Sequence, residues 1–375
     1  MYAKDFRNSI VEIDSQTWNR LAGDVFSSHD WLRTVEQTFI GEVRYRYCLI
    51  YERESLVGAA ICQIWERSDR VFDLDDCMLG RFKGLSRRLG VSFLPAYVCG
   101  TLKGCGENLL VDESMEPDAK HAVSHELLDA IETDAVEFDV PVAFANVVES
   151  DNDLVRLLRD RGFWSTYDLP VAWMDVCWSS FEEYKAYVRQ ASGSNRFLRN
   201  EVSRFRKSGV RVQKLTKGSK LSGALHELLQ QNYLVHNGKN YPFESGFLRA
   251  LKENLGEDAV IYLASKESTY HGVSLMLKRG DVGHMAAIGI NHAVAGNDFT
   301  YFNLGFYEPI ADAIEGGLEK LEFGTALYAS KRRRGCRTAE TYLYYKPMRT
   351  RKLFATRPAF HVHSAIKRIV VSRKA

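Results

Sequence analysis

The spacing of hydrophobic residues over residues 299–345 predicts a helix, a short strand, a basic loop and a second strand. Apolar residues recur every three or four positions, as on a helix with one buried face: Phe302, Phe306, Ile310, Ala313 and Ile314. Gly316-Gly317 predicts the helix end, because glycine adopts the left-handed cap conformation without steric cost. Leu321–Phe323 predicts the first strand. Five Lys or Arg then follow within residues 331–337, which indicates a cationic surface.

A similar order of patterns occurs in both halves of the chain. The first half contains strand-like runs at 44–51, 56–65 and 142–148 and helical patterns at 119–136 and 153–161. The second half contains strand-like runs at 260–264, 271–278 and 282–290 and helical patterns at 221–233 and 244–254. Two copies of one plan indicate an internal duplication, and the order of elements predicts mixed sheets flanked by helices.

This duplication predicts four segments. They are an N-terminal domain over 1–175, a basic helical connector over 176–208, a C-terminal domain over 209–348 expected to be catalytic, and a basic tail over 349–375. Within the connector, Ser179–Phe205 is predicted to form a helical pair.

Composition indicates a globular protein with reduced thiols. The 375 residues are 45% hydrophobic and 26% charged, and no apolar run approaches the length of about 18 residues that a membrane span needs. The sequence begins without a signal-peptide pattern. Seven scattered cysteines lack CxxC spacing, which argues against a structural zinc site and predicts no bound metal and a cytoplasmic location.

Charge is unevenly distributed although the net charge is only +2. Residues 331–375 contain 14 Lys or Arg and one acid, Glu340. Such asymmetry is typical of a segment that meets an anionic partner. A solvated basic tail explains the same pattern equally well, and the sequence alone leaves both interpretations open.

The stretch 299–345 resembles the C-terminal core of the tandem-GNAT acyltransferases, and more closely the FemAB-like branch with a BioF2-like acetyltransferase domain. The residues that carry the resemblance are Tyr307, Ile310, Ala313-Ile314, Gly317-Leu318, Phe323-Gly324, Lys331, Gly335 and Thr341-Tyr342. The resemblance implies an α/β fold of the α+β type with two GNAT-like domains in tandem. Each would have a mixed central sheet flanked by helices, splayed between its fourth and fifth strands where the acyl donor enters.

GNAT acetyltransferases hold the CoA pyrophosphate in a glycine-rich loop after the fourth strand, because glycines let backbone amides approach phosphates. The corresponding loop here follows Ile290 and has one glycine, Gly296, and an acid, Asp298. The corresponding loop of the first half, 112–118, has four acids and no glycine. The resemblance therefore favours aminoacyl-tRNA as a co-substrate, with acyl-carrier protein or acyl-CoA as alternatives and no tightly bound cofactor.

The resemblance and the local patterns select three groups of candidate site residues. Lys331 matches a family lysine that stabilises the oxyanion of acyl transfer, although Ser330 and Arg334 stand where the family has aromatic residues. The catalytic candidates are Lys331, Tyr307 and His284. The candidates for donor binding are Arg196, Arg199, Arg206, Tyr301, Asn303, Arg332 and Arg333. The candidates for acceptor binding are His236, Tyr241 and Phe243.

Each candidate also has a purely structural interpretation: a solvated charged helix face, a core aromatic residue or an ordinary loop. No Ser-His-Asp set stands out, which favours direct transfer without a covalent enzyme intermediate. The sequence therefore predicts an N-acyltransferase that uses tRNA or acyl-carrier protein as donor partner and a small-molecule or peptide amine as acceptor. A non-catalytic GNAT-like binding module is the alternative.

Overall fold

The structure is a computed structural model that describes residues 2–67, 73–88, 90, 92–216, 221, 223–347 and 357–374. The chain forms two compact units. The first comprises Met1–Glu36, Gly41–Pro170 and Ala339–Lys374, and the second comprises Gln37–Ile40 and Val171–Thr338.

The described residues form strands and helices that we number in chain order. The strands are β1 Tyr2–Arg7, β2 Val43–Glu52, β3 Ser55–Trp65, β4 Ala96–Cys99, β5 Leu110–Val111, β6 Val142–Val148, β7 Trp164–Tyr167, β8 Val171–Asp175, β9 Arg211–Leu215, β10 Ala259–Lys266, β11 Thr269–Arg279, β12 Val282–Ile290, β13 Lys320–Gly324, β14 Arg337–Ala339 and β15 Thr341–Lys346. The helices are α1 Ser15–Leu21, α2 His29–Thr38, α3 Leu74–Leu79, α4 Lys83–Arg88, α5 Pro117–Glu137, α6 Asn152–Asp160, α7 Phe181–Ser192, α8 Arg196–Ser208, α9 Gly223–Asn237, α10 Phe247–Leu255, α11 Thr300–Phe302, α12 Glu308–Glu315, α13 Tyr328–Arg333 and α14 Arg357–Lys374.

The first unit is built on a sheet of order β1-β2-β3-β4-β6-β15-β7, with β5 paired to β3. Its pairs are antiparallel except for β4 with β6, which run parallel. One face of α5 is apolar at every fourth residue, at Val123, Leu127 and Ile131, and is buried in the same core as the sheet residues Ile50 and Phe144.

Strand β15 enters the first sheet although it follows the second unit in the chain. Tyr342 pairs with Val147 of β6 and with Tyr167 of β7, so β15 closes a gap between two strands of the first half. The sequence pattern correctly predicts a strand here but places it in the C-terminal domain. A pattern of hydrophobic residues shows that a segment is a strand with a buried face. Which strands it pairs with depends on contacts between residues far apart in the chain.

The division of the chain therefore differs from the expected domain limits. The second unit begins at Val171 rather than near 209, because β8 and the predicted connector helices α7 and α8 belong to it. Residues 339–347 and helix α14 belong to the first unit rather than to a C-terminal domain and a separate tail. The remaining parts of the predicted tail, 349–356 and 375, lie outside the described residues.

The second unit is built on a sheet of order β14-β8-β13-β12-β11-β10-β9. Among the strand pairs of this sheet whose register is described, β12 and β13 run parallel and the others run antiparallel. Helices α8 and α12 pack into one core with the sheet, through Leu198, Phe205, Ile310, Leu321 and Phe323. This is the mixed, helix-flanked sheet that the hydrophobic pattern predicts.

Two basic segments differ from the expected picture. Residues 328–333, expected as a loop, form the short helix α13. The C-terminal basic segment forms helix α14 over Arg357–Lys374. Within the part of the chain that the structure describes, no helix is long and apolar enough to cross a membrane.

Candidate active site

Two parallel strands of the second unit separate, and we call the space beside the unpaired edge of β12 the crevice. β12 and β13 pair only over Val282–His284 and Lys320–Glu322, after which β12 continues to Ile290 and β13 ends at Gly324. Met285–Ile288 are all partly exposed, although successive residues of a strand point to opposite faces. Among the described residues, this edge of β12 has no paired strand. It lies at the carboxyl ends of parallel strands, where α/β folds commonly bind ligands.

A β-bulge lies in β12 beside the crevice. Leu275 pairs with Ala287 and Met276 pairs with Met285, which leaves Ala286 as an extra residue. Bulges bend a strand, increase its twist and are frequent next to active sites. The bulge coincides with the point at which β12 leaves β13.

His284 and Glu322 face each other at the last paired position before the crevice. His284 Nδ1 lies 3.3 Å from Glu322 Oε2, and the two side chains are 4% and 14% exposed. Lys320 Nζ lies 2.5 Å from the other carboxylate oxygen. Burial alone raises the pKa of Glu322, but His284 and Lys320 outweigh burial and lower it to about 2. An ionised carboxylate beside an imidazole orients the ring, which suits a group that accepts a proton.

Lys331 is buried, and its ammonium group is bonded to the backbone. Nζ donates to the carbonyl oxygens of Phe323 at 2.7 Å, Gly324 at 3.0 Å and Thr325 at 2.7 Å. These bonds use all three donors of the ammonium group. Burial lowers the pKa of Lys331 to about 8. In this position Lys331 holds the turn that ends β13, and binding an oxyanion would require it to release one of the three carbonyls.

Arg334 stands where the family has an aromatic residue and is itself buried among aromatic rings. Its guanidinium lies 4.1 Å from the centroid of Phe302, its Nη2 lies 2.5 Å from Glu201 Oε2, and its Nε donates to the Tyr307 hydroxyl at 3.1 Å. The Tyr307 hydroxyl also donates to Glu201. Arg334 is only 2% exposed. This buried network joins α8, the end of α13 and the helix that begins at Thr300.

That helix contains a π-helical segment, Asn303–Tyr307, between α11 and α12. Such segments are frequent at functional sites. Asn303 is buried and donates through Nδ2 to the carbonyl oxygen of Phe299 at 2.9 Å. Burial raises the pKa of Tyr301, which keeps part of its surface exposed. Of the three residues predicted here, Tyr307 and Asn303 are therefore held in internal hydrogen bonds, and Tyr301 remains accessible.

The loop between β12 and α11, where the resemblance expects the CoA pyrophosphate, contains its own anion. Asp298 Oδ1 accepts a hydrogen bond from the Thr300 amide at 2.9 Å, and Oδ2 lies 2.9 Å from His271 Nδ1. Amides at a helix N-terminus are the groups that bind phosphates in other proteins. A Cβ atom at Gly296 would meet nothing within 4 Å, so this glycine is not required by a close backbone approach. The protein's own carboxylate occupies the place expected for a phosphate.

The predicted arginines of α8 are exposed, but they do not form one surface with the loop. Arg199 lines a groove toward α7, and Arg196 and Arg206 are also exposed. The guanidinium of Arg204, which lies 5.0 Å from the ring of Phe299, is the α8 cation next to the crevice loop.

Arg332 and Arg333 are exposed on α13. Arg333 stacks on Phe197 of α8, with its guanidinium carbon 3.8 Å from the ring centroid. A planar cation over an aromatic face is a favourable and specific contact. The two residues therefore present positive charge on a surface that α8 supports.

The three acceptor-binding candidates differ in accessibility. Tyr241 and Phe243 are buried, and Phe243 stacks on Phe247 with ring centroids 4.3 Å apart. Burial raises the pKa of Tyr241. His236 is exposed, and its ring lies 6.0 Å from that of His292. The two aromatic residues are thus part of the core of the second unit, and only His236 is available to solvent.

Five residues at or near the crevice are absent from the sequence-based list of candidates: Glu201, His271, Asp298, Glu322 and Arg334. All of them hold a charged or polar partner that lies on another element. The signals available were weak. Glu201 is an acid inside a strongly basic helix, and Glu322 and Asp298 are acids beside otherwise apolar segments.

Comparison with protein families gives one match that spans most of the chain. The profile of the FemAB-like family, described as peptidoglycan biosynthesis/recognition, matches residues 9–355. Among curated proteins, none matches this sequence at a significant level.

Solved structures show the same fold at low sequence identity. FemX is 12% identical over 92% of this chain and 97% of its own, with a TM-score of 0.59. The C-terminal domain of a putative lysylphosphatidylglycerol synthetase from Agrobacterium fabrum is 12% identical over 96% of this chain and 97% of its own, with a TM-score of 0.57. A tandem GNAT protein from the clavulanic acid biosynthesis pathway is 9% identical over 92% and 98% of the two chains, with a TM-score of 0.51. These likenesses confirm the predicted tandem GNAT-like architecture.

Proposed function

Because the chain belongs to the FemAB-like family of peptidoglycan biosynthesis/recognition, we propose that it is an N-acyltransferase acting at the crevice of the second unit. The donor in this proposal is an aminoacyl-tRNA, and the acceptor is an amine of a small molecule, a peptide or an envelope precursor. The observation that carries the proposal is the His284–Glu322 pair, which lies where β12 and β13 separate.

The proposed reaction is direct transfer. The acceptor amine attacks the ester carbonyl carbon of the donor, and a C–N bond forms as the ester C–O bond breaks. His284 takes the proton that the amine loses and passes it to the departing ribose oxygen, which leaves as a hydroxyl. The low pKa of Glu322 keeps its carboxylate ionised, and the carboxylate stabilises the imidazolium that forms on His284. Lys331 keeps the turn after β13 in place, and Tyr307 acts through the buried network with Glu201 and Arg334.

Two features support a donor other than CoA. Asp298 already accepts a hydrogen bond from the Thr300 amide, at the helix start where a CoA pyrophosphate would bind. The Asp298 carboxylate would repel a second anion at this position. The exposed cations Arg332, Arg333 and Arg204 lie on α13 and α8, outside that loop. Acyl-carrier protein also fits these features, because its charge would be met by the same exposed cations.

The test measures transfer with each donor class. Purified protein is incubated with a mixture of radiolabelled aminoacyl-tRNAs, with acyl-CoA and with acyl-carrier protein, in the presence of a panel of amines. We expect amine-dependent loss of the aminoacyl ester from tRNA. Saturable turnover with acyl-CoA alone would contradict the proposed donor.

His284→Gln is expected to lower the turnover number by a factor of about 10²–10⁴, the usual contribution of a general base. His125→Gln, on α5 of the first unit, is the matched control and should leave turnover unchanged. Thermal melts of both variants check that they fold. Full activity of a folded His284→Gln protein would remove His284 from the mechanism.

A further inference from the structure

A polar groove of about 480 Å³ lies between helices α7 and α8 of the second unit. Its polar lining comes from α7, from the turn after it and from α8: Glu182, Lys185, Arg189, Gln190, Asn195 and Arg199. The volume falls in the range of ordinary ligand pockets, roughly 300–1,000 Å³. It is therefore larger than a single phosphate needs.

The charge of the groove is not balanced from within. Its lining contains three cations and one carboxylate, and that carboxylate, Glu182, is paired with Lys185. Arg189 and Arg199 make no ion pair with any residue that the structure describes, and both are exposed. Two guanidinium groups that share one groove repel each other, and a bound anion removes that repulsion.

The groove is held open by a fixed backbone. Asn195 Nδ2 donates to the carbonyl oxygen of Lys185 at 2.7 Å, which ties the turn to the middle of α7. Ser192 Oγ lies 2.6 Å from the carbonyl oxygen of Val188 and 3.0 Å from that of Ser194, both within reach of its one hydroxyl donor. Gly193 has a φ of 73°, a left-handed conformation that favours glycine. The cations are therefore presented from elements whose spacing does not have to change for binding.

A further exposed cation lies on another face of α8. Arg333 stacks on Phe197 at 3.8 Å, and Phe197, two residues before Arg199, does not share the face of α8 that lines the groove. A positively charged groove that follows the backbone is one feature by which proteins hold nucleic acid strands. Arginine also binds phosphate through two parallel hydrogen bonds.

We propose that the groove between α7 and α8 binds the phosphodiester backbone of RNA, with Arg189 and Arg199 as its phosphate contacts. The inference rests on the proposed function in taking the donor to be an aminoacyl-tRNA. It adds a location for the body of that donor, on the side of α8 that carries Arg199. The crevice loop meets α8 instead through Arg204.

The test measures RNA binding by the full chain. Fluorescence anisotropy with an end-labelled tRNA is recorded at a series of salt concentrations for the wild type and for Arg189→Glu/Arg199→Glu. The control is Arg33→Glu/Arg249→Glu, which changes the net charge equally at two other exposed arginines. Arg189→Gln/Arg199→Gln is measured as a milder variant, and thermal melts check folding.

We expect the groove variant to bind tRNA more weakly by about tenfold or more and the control by less than about threefold. The slope of log Kd against log salt should fall by roughly 1.4–1.8 in magnitude for the Gln variant, because two phosphate contacts are lost. Equal weakening by the groove and control variants would overturn the inference, and so would a wild type that binds no tRNA.

The assay separates this inference from the proposed function. A wild type that binds tRNA through the groove but transfers no aminoacyl group supports the groove and contradicts the donor reaction. A wild type that transfers aminoacyl groups while the groove variant binds tRNA normally contradicts the groove alone.

Discussion

The buried charged residues beside the crevice, Arg334 and Lys331, are each bonded to oppositely charged or polar groups. The Arg334 guanidinium is matched by Glu201 and by an aromatic ring, and the Lys331 ammonium by three carbonyls. A buried charge that loses its partner costs roughly 3–5 kcal/mol. The backbone around the crevice is therefore fixed by specific pairs of residues, which a reaction that positions two substrates requires.

Glu322 should make the stability of the protein depend on pH in the acid range. Its pKa falls from an ordinary value of 4.5 in the unfolded chain to about 2 in the folded one. The stabilisation is present above the unfolded pKa and is lost as the pH falls through the folded pKa, and it amounts to about 3 kcal/mol at most. We expect the unfolding free energy of Glu322→Gln to fall less between pH 5 and pH 2 than that of the wild type.

Urea denaturation at a series of pH values measures this difference. Glu319→Gln is the control, since Glu319 is exposed and makes no ion pair in the described part of the chain. Parallel curves for wild type and Glu322→Gln would show that the pair with His284 and Lys320 contributes nothing to stability.

The sequence identifies residue types of the site better than it identifies their partners. Lys331 follows from the resemblance, and in the structure its buried ammonium is bonded to three backbone carbonyls. Glu201, however, meets Tyr307 across 106 positions of the chain and Arg334 across 133. No periodic pattern connects positions that far apart. The partner of a buried charge is thus visible only once α8 and α13 are packed together.

At the scale of elements, the helix that begins at Thr300 already has an anion at its N-terminus. The Asp298 carboxylate accepts the Thr300 amide and lies beside His271 of β11. The hydrophobic pattern predicts this helix and its end at Gly316-Gly317, and the structure has both. It does not predict the π segment Asn303–Tyr307, because Phe302, Phe306 and Ile310 keep the spacing of an ordinary α-helix.

Replacing Asp298 should convert the crevice loop into an anion site. Asp298→Ala frees the Thr300 amide and is expected to lower stability by about 1 kcal/mol, as loss of one hydrogen bond does. Pyrophosphate at millimolar concentration should then raise the melting temperature of the variant and leave that of the wild type unchanged. Differential scanning fluorimetry measures both effects.

Asp281→Ala provides the control, because Asp281 lies in the turn between β11 and β12 and is exposed. If pyrophosphate or CoA raised the melting temperature of the wild type as much as that of the Asp298→Ala variant, Asp298 would not exclude phosphate from this loop.

At the scale of the whole molecule, the sequence predicts two related halves. It does not predict that β15 belongs to the first sheet and β8 to the second. The matching runs of strands and helices indicate the duplication correctly. Strand β15 nevertheless pairs with β6 and β7 of the first unit, and β8 pairs in the second sheet. Hydrophobic alternation in Thr341–Tyr345 is the same in either sheet. The domain limits therefore could not be set from the pattern alone.

The first unit should depend on residues near the far end of the sequence. A chain that stops after Thr338 leaves β6 and β7 without the strand between them, whereas a chain that stops after Pro347 keeps β15. We expect amide exchange in β6 to be slower in the longer chain than in the shorter one, in which only the β4 side of β6 stays paired. Hydrogen–deuterium exchange with mass spectrometry measures this. Equal protection in both would show that β15 is dispensable for the first sheet.

The position of β15 has a consequence during protein synthesis. The ribosome adds roughly 5–20 residues per second, so β7 leaves the exit tunnel roughly 10–35 s before β15 does. For that interval the nascent first unit exposes two unpaired strand edges, which are templates for aggregation. We expect newly made chains to need a chaperone until translation has passed Lys346.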